Sequence, residues 1–321
     1  MKNNPIIIVA GEPNSIFLEI FFKSLKLKKF KRPIILICSL KLLNLQMKKL
    51  KFKNKIRLLE PVDLNFTKLN NKYINLIDVK YETKIAFDKI SIKSKNYIDK
   101  CFKIAFEIIK AGISNKLING PISKKNFLNK KFIGITEYIS DYFSINKYAM
   151  LIYNKQLSVC PITTHLPLKL VAQKINKKII FEKISLINHF YKKKFGFKPT
   201  IAVLGLNPHC ETIDKVNEDK NIVTPCIKDL SKNGFKVSGP YSADTIFLKE
   251  NRKKFNVIVG MYHDQVLTPL KTLFEYDAIN ITLGLPFTRI SPDHGPNEKM
   301  LGMGLSNPMS LIKAIEFLDK N

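Results

Sequence analysis

Three histidines stand just past apolar runs in this chain: His165 in Thr163-Thr164-His165-Leu166-Pro167, His209 in Leu206-Asn207-Pro208-His209, and His263 in Met261-Tyr262-His263-Asp264-Gln265. Neutral imidazole is the commonest protein ligand for zinc and related divalent ions, and three such ligands leave a coordination position open for substrate. The spacings, 44 and 54 residues, are too long for a local motif, so only a fold can gather them. Singly, each reads rather as a structural histidine. Together, each at a strand end, they read equally well as a metal set. His189 lies mid-helix in Ile187-Asn188-His189-Phe190 and reads as a surface or satisfied core residue.

Other polar segments follow the same rule of place. Asn119-Gly120-Pro121-Ile122-Ser123-Lys124, Gly239-Pro240-Tyr241-Ser242-Ala243-Asp244-Thr245 and Asp293-His294-Gly295 each set turn residues beside a group that can ligate, titrate or donate. In open α/β sheets ligands sit beyond the carboxyl ends of strands. Lys271, Asn280 and Arg289 recur at intervals of nine around an expected strand, Ile279–Leu283. They have the chemistry to hold a phosphate or carboxylate, with Arg289 as a bidentate fork. No G-x-G-x-x-G follows a strand, and Gly302-Met303-Gly304 has no matching third glycine. A Rossmann fingerprint and a Walker A loop are therefore excluded, and a dinucleotide needs another route, such as the loop Asp293–Asn307.

These residues need rigid elements behind them, and the hydropathy pattern supplies strands alternating with helices. Pro5–Ala10, Pro33–Cys38, Ile74–Val79, Lys116–Asn119, Tyr148–Tyr153, Leu157–Ile162, Pro199–Gly205, Asn256–Met261 and Ala278–Leu283 read as strands. Asn14–Lys28, Lys93–Lys110, Lys178–Phe195, Asp219–Lys232 (interrupted by Pro225) and Pro308–Leu318 read as helices. Such alternation predicts α/β layers around a mostly parallel sheet. At 321 residues the chain is long enough for about two domains.

Composition narrows the function classes. Hydrophobic residues at 45% and charged residues at 25% exclude disorder as the main state. The longest apolar runs have strand length, well short of the roughly 20 residues of a membrane span, and the N-terminal segment reads as a first strand entering a turn rather than a secretory leader. Five scattered cysteines without a C-x-x-C pair fit reduced thiols in a cytoplasmic protein. The net charge is +28, yet only four of 54 basic residues are arginine, at 32, 57, 252 and 289. Nucleic-acid readers favour arginine, so the lysines read as a solvated surface whose field also concentrates anionic small substrates. A polyanion-binding role is the alternative of another class.

Taken together, these segments resemble the 4-hydroxythreonine-4-phosphate dehydrogenases of pyridoxal phosphate biosynthesis, enzymes of the broader isocitrate/isopropylmalate dehydrogenase-like fold. The likeness runs from about Asn119 to the C-terminus. It is strongest in Gly239–Thr245, in Tyr262-His263-Asp264-Gln265-Val266-Leu267-Thr268-Pro269-Leu270-Lys271, and from Ile281 through Arg289 to Asp293-His294-Gly295; earlier it is carried by Gly11-Glu12-Pro13 and Glu19.

The resemblance implies two α/β/α layered domains with a cleft between them: one of residues 1–125 plus about 290–321, and one of about 126–289 holding the metal and substrate residues. It implies a divalent ion (Zn, Co, Mg, Mn or Ni) held by His165, His209 and His263, the third from the other subunit of a homodimer that shares its active site. Substrate binding falls to Thr136, Lys271, Asn280 and Arg289, with Asp244, Asp264 and Lys271 as the catalytic candidates. NAD or NADP is expected near Asp293, His294, Gly295 and Asn307. The implied reaction is oxidation of 4-phosphooxy-L-threonine at C3 followed by decarboxylation to 3-amino-2-oxopropyl phosphate; another four-carbon phosphorylated acid, or an acyl-phosphate transferase of similar architecture, are the rival readings. No nucleic-acid or membrane partner is expected. One departure bears on substrate: the family's Gly-His-Thr-Glu reads Gly134-Ile135-Thr136-Glu137 here, and an isoleucine donates no hydrogen bond.

Overall fold

The computed structural model describes residues 4–65, 67–128, 132–211, 217–292 and 294–320. In chain order its strands are β1 (Ile6–Val9), β2 (Ile34–Cys38), β3 (Ile56–Leu58), β4 (Ile74–Asp78), β5 (Lys116–Asn119), β6 (Ala149–Tyr153), β7 (Ser158–Pro161), β8 (Ile201–Leu204), β9 (Val237–Tyr241), β10 (Val257–Gly260), β11 (Ile279–Leu283) and β12 (Thr288–Pro292). Its helices are α1 (Phe17–Leu27), α2 (Leu40–Lys49), α3 (Lys95–Lys110), α4 (Ile135–Tyr142), α5 (Val171–Lys174), α6 (Lys177–Phe195), α7 (Thr224–Lys232), α8 (Ala243–Ile246), α9 (Lys249–Arg252), α10 (His263–Phe274) and α11 (Met309–Asp319). Two compact units result, one of residues 1–143 with 286–321, the other of residues 144–285.

The first unit carries strands in the order β3-β4-β2-β1-β5-β12, each pair parallel. Parallel strands need crossover connections, and helices supply them along the chain: α1 between β1 and β2, α2 between β2 and β3, and α3 between β4 and β5. Consecutive strand residues face opposite sides. The complete burial of Ile6, Ile7, Ile8 and Val9 therefore means that β1 is covered on both faces, as a run of Ile and Val requires. Helix α3 buries Ile98, Phe102 and Ala105 against β1 and β2, and it stops before Gly112, which takes a left-handed φ of +73°. Helix α1 begins at Phe17 rather than at the expected Asn14. The Ser15 hydroxyl donates to Glu12 O at 2.7 Å and the Asn14 side chain donates to Lys89 O, so these residues hold a turn instead of a helical rung.

The loops after β1 and β5 approach closely. Glu12 N donates to Pro121 O at 2.8 Å, and a Cβ at Gly120 would stand 2.1 Å from Ala10 O. Only glycine permits that approach.

The second unit orders its strands β11-β6-β7-β10-β8-β9. The run β7-β10-β8-β9 is parallel; β6 pairs antiparallel with β7, and β11 antiparallel with β6. Pro225 does not interrupt the expected helix over 219–232. It occupies the first turn of α7, behind a separate π turn at Asp219–Val223, where a missing N–H removes no helical bond. Among the described residues no helix is long and apolar enough to cross a membrane.

Candidate active site

In the second unit the carboxyl ends of β7, β10 and β8 lie side by side, and each feeds one of the three histidines. The turn after β7 carries His165, the turn after β8 carries His209, and α10 opens on His263 just past β10. The fourth parallel strand, β9, leads to Asp244 at the start of α8. Thr163 binds the turn after β7 to the one after β10, donating to Met261 O from its backbone N at 3.2 Å and its hydroxyl at 2.7 Å.

The rings of His165 and His263 are tilted by 34° with centroids 6.2 Å apart. They border a cavity of about 270 Å³ that Thr164, Leu168, Tyr262 and Asp264 also line. The donor chemistry at this opening, imidazoles with a carboxylate beside one of them, suits a divalent ion. The Asp264 carboxylate lies 2.7 Å from His263 Nδ1, which fixes the ring and leaves Nε2 for a ligand, the usual arrangement around metal-bound histidine. His209 is exposed on the turn Pro208–Cys210 with φ 56° and ψ 15°. Among the described residues no three His, Cys, Asp or Glu side chains are already grouped for a metal.

Two residues outside the expected set organise these turns. The Gln265 side chain accepts from Met261 N at 2.7 Å and donates to Gly205 O at 2.8 Å, so it ties the end of β10 to the loop that delivers His209. Buried Asp219 accepts from the backbone of Leu206 and Asn207. Burial raises the pKa of the Cys210 thiol in the same loop, and the charges of Asp219 and, to a lesser degree, Asp244 add to the rise. Lys271 lies on α10 seven residues past Asp264, which places the two on one helical face about two turns apart. Asn280 is half-buried on β11, and its Oδ1 has no hydrogen-bond partner among the described residues.

In the first unit, Arg289 on β12 is fully buried. Its Nε donates to Asn119 Oδ1 at 2.8 Å and its Nη1 to Thr136 Oγ1 at 3.2 Å. Pairing of Arg289 with Leu117 on parallel β5 brings Asn119, two residues further along, to the guanidinium. Burial lowers the Arg289 pKa to about 10, and the charge of Glu137 opposes part of that shift. The group thus stays cationic at neutral pH in a dry setting, where its attraction for an anion is strong. Thr136 and half-buried Ile135 open α4, whose N-cap Gly134 offers no side-chain acceptor. Helix N-termini favour phosphate and carboxylate groups.

Of the expected cofactor residues, Asp293 lies outside the described residues. His294 stacks on Phe17 at 6.5 Å, with its Nδ1 3.0 Å from Gly295 O. Asn307 is exposed, its Oδ1 accepting from Met309 N at 2.9 Å. The backbone just before it is gripped by an ion pair on α1. Lys23 Nζ donates to Glu19 Oε1, Gly304 O and Ser306 O at 2.9, 2.8 and 2.7 Å, and Ser306 N donates to Glu19 Oε1 at 2.7 Å.

The family described as pyridoxal phosphate biosynthetic protein PdxA matches residues 29–318. The chain belongs to that family. A curated relative named 4-hydroxythreonine-4-phosphate dehydrogenase, from Sulfurihydrogenibium sp., is 38% identical over 96% of this chain and 95% of its own. The solved structure of the enzyme of that name from Klebsiella pneumoniae superimposes with a TM-score of 0.84 at 27% identity, covering 98% of both chains. A β-decarboxylating dehydrogenase from Thermococcus kodakarensis aligns with a TM-score of 0.53 at 11% identity, over 98% of this chain and 82% of its own, which shows a shared α/β fold alone. This PdxA-family chain is an enzyme, an oxidoreductase of the kind its relatives' name states.

Proposed function

We propose that the enzyme carries out metal-dependent, NAD(P)-linked oxidation of 4-phosphooxy-L-threonine at C3, followed by decarboxylation to 3-amino-2-oxopropyl phosphate, as a cytoplasmic homodimer with shared active sites. The observation that carries this reading is that all three histidines stand at one end of the parallel run β7-β10-β8, so that His165 and His209 of one protomer present part of a site that His263 of the other completes. The relatives' name supports the phosphorylated substrate and the nicotinamide cofactor.

His165, His209 and His263 would hold a divalent ion of the Zn, Co, Mg, Mn or Ni group. When bound, the ion supplies Lewis acidity and the nicotinamide supplies a hydride acceptor. Asp264 keeps the His263 ring oriented through Nδ1. Arg289, with Thr136 beside it, anchors the phosphate and fixes substrate orientation, and Lys271 and Asn280 complete the substrate set. Asp244, Asp264 and Lys271 are the candidates from which one group takes the proton of the C3 hydroxyl. Asp293, His294, Gly295 and Asn307 form the cofactor-side segment.

The test is NADH or NADPH formation with 4-phosphooxy-L-threonine before and after chelation, then with divalent ions added back. Activity abolished by chelator and restored by metal is expected. Full activity in rigorously metal-free enzyme would overturn the metal assignment, and inertness of folded, metal-loaded enzyme would move the substrate to another four-carbon phosphorylated acid.

A further inference from the structure

His209 and Cys210 are consecutive non-glycine residues with φ of 56° and 63°. That region is rarely adopted by L side chains, and it persists only where surroundings over-determine it. The surroundings here converge on one carboxylate. Asp219 is 1% exposed. Its Oδ1 accepts from Leu206 N at 2.7 Å, and its Oδ2 accepts from Asn207 N at 3.0 Å and from Asn207 Nδ2 at 3.1 Å. Asn207 Nδ2 also donates to Glu218 Oε2 at 3.1 Å. A Cβ at Gly205 would stand 2.7 Å from Cys210 Sγ and 3.1 Å from Asp219 Oδ1, so the turn is folded back tightly against the end of β8.

We infer that Asp219 is a positioning residue that presets the Leu206–Cys210 turn so that His209 is presented to the metal. This rests on the reading of His209 as a ligand given above. Asp219 touches neither ion nor substrate. It spans the donors of Leu206 and Asn207 with two acceptor oxygens, which no amide or hydroxyl side chain can do.

Asp219→Asn keeps the shape but turns one acceptor into an NH2 facing N–H donors. The experiment titrates metal-free protein with Co2+, followed by visible absorption, for the unaltered chain, Asp219→Asn and His209→Ala, with circular dichroism and thermal melts alongside. Weakening of Co2+ binding by about 10- to 100-fold in Asp219→Asn, in folded protein, is expected, as for other residues that orient metal ligands. Unchanged Co2+ affinity in folded Asp219→Asn overturns the inference, with or without a lowered melting temperature. If Asp219→Asn does not fold, Asp219→Glu decides in the same way, since it keeps the charge and both acceptors but moves them off the donors of Leu206 and Asn207 by one methylene. His209→Ala separates the two levels: unchanged affinity there refutes the ligand reading itself, whereas weakened affinity there beside unchanged Asp219→Asn refutes only the positioning role.

Discussion

The guanidinium of Arg289 meets the carboxamide of Asn119 at 2.8 Å, across two parallel strands whose residues are 170 positions apart. The contact turns one edge of the planar fork inward and brings Nη1 to Thr136 at the mouth of α4. A lysine is a point charge and cannot satisfy both directions. Arg289→Lys should raise KM for the phosphorylated substrate about 10- to 100-fold, the value of one or two hydrogen bonds to charge. Steady-state kinetics at saturating cofactor check it; a KM unchanged within about twofold would remove Arg289 from substrate binding.

Position 135 offers the converse experiment. The half-buried Ile135 is the first residue of α4, one before Thr136. Ile135→His should lower KM for 4-phosphooxy-L-threonine by about tenfold or more, because a hydrogen bond to a charged phosphate is worth about 1.5–3 kcal/mol. A rise in KM would show that this site is shaped around the isoleucine.

The Glu19–Lys23 pair predicts a split between kinetic constants. Lys23 grips two carbonyls of the segment Gly304–Ser306, and Glu19 grips one of its N–H groups. Lys23→Met frees that segment and strands a buried carboxylate, a loss that costs about 3–5 kcal/mol in comparable pairs. The melting temperature should fall by several degrees, and the cofactor KM should rise about tenfold while kcat changes less than about threefold. Equal losses in kcat and kcat/KM would place the pair in the chemical step instead.

Glu12 predicts a pH dependence of stability. Burial raises its pKa above the ordinary carboxylate range, against the lowering effect of hydrogen bonds from Ser94 and Asn14; the charge of Glu298 adds to the rise. The folded state therefore holds this proton to higher pH than the unfolded state does. Its contribution is fully present below the ordinary glutamate pKa of about 4.3 and is lost as pH rises through the raised value. Relative to Glu12→Gln, the unaltered enzyme should lose stability across that interval. Parallel melts of the two proteins from acid to neutral pH test this, and a constant difference would show that Glu12 titrates normally.

Much of the fold is legible because it is written in local periodicity. Runs such as Ile6–Val9 and Val257–Gly260 are apolar at every position, and both become fully buried strands. Elements without such a signal do not show. Helix α2 follows Ser39, whose hydroxyl accepts from Leu42 N, but its lysines mask the apolar face. Strand β12 hides its one charge, Arg289, in the interior, so its pattern reads as a loop. Helix α4 is held by aromatic contacts from distant segments, such as Phe106 with Tyr142 at 4.5 Å.

For the candidate site, the sequence by itself determined which residue types stand after which strands: His165 after Leu157–Ile162, His209 after Pro199–Gly205, and His263 after Asn256–Met261. Only the tertiary structure decided that these strands are neighbours in the order β7-β10-β8, that Gln265 ties two of their loops together, and that Asp219 lies beneath the His209 turn. Hydropathy encodes which face of an element is buried. It does not encode which buried faces meet, because that is set by packing and hydrogen bonding between residues far apart in the chain.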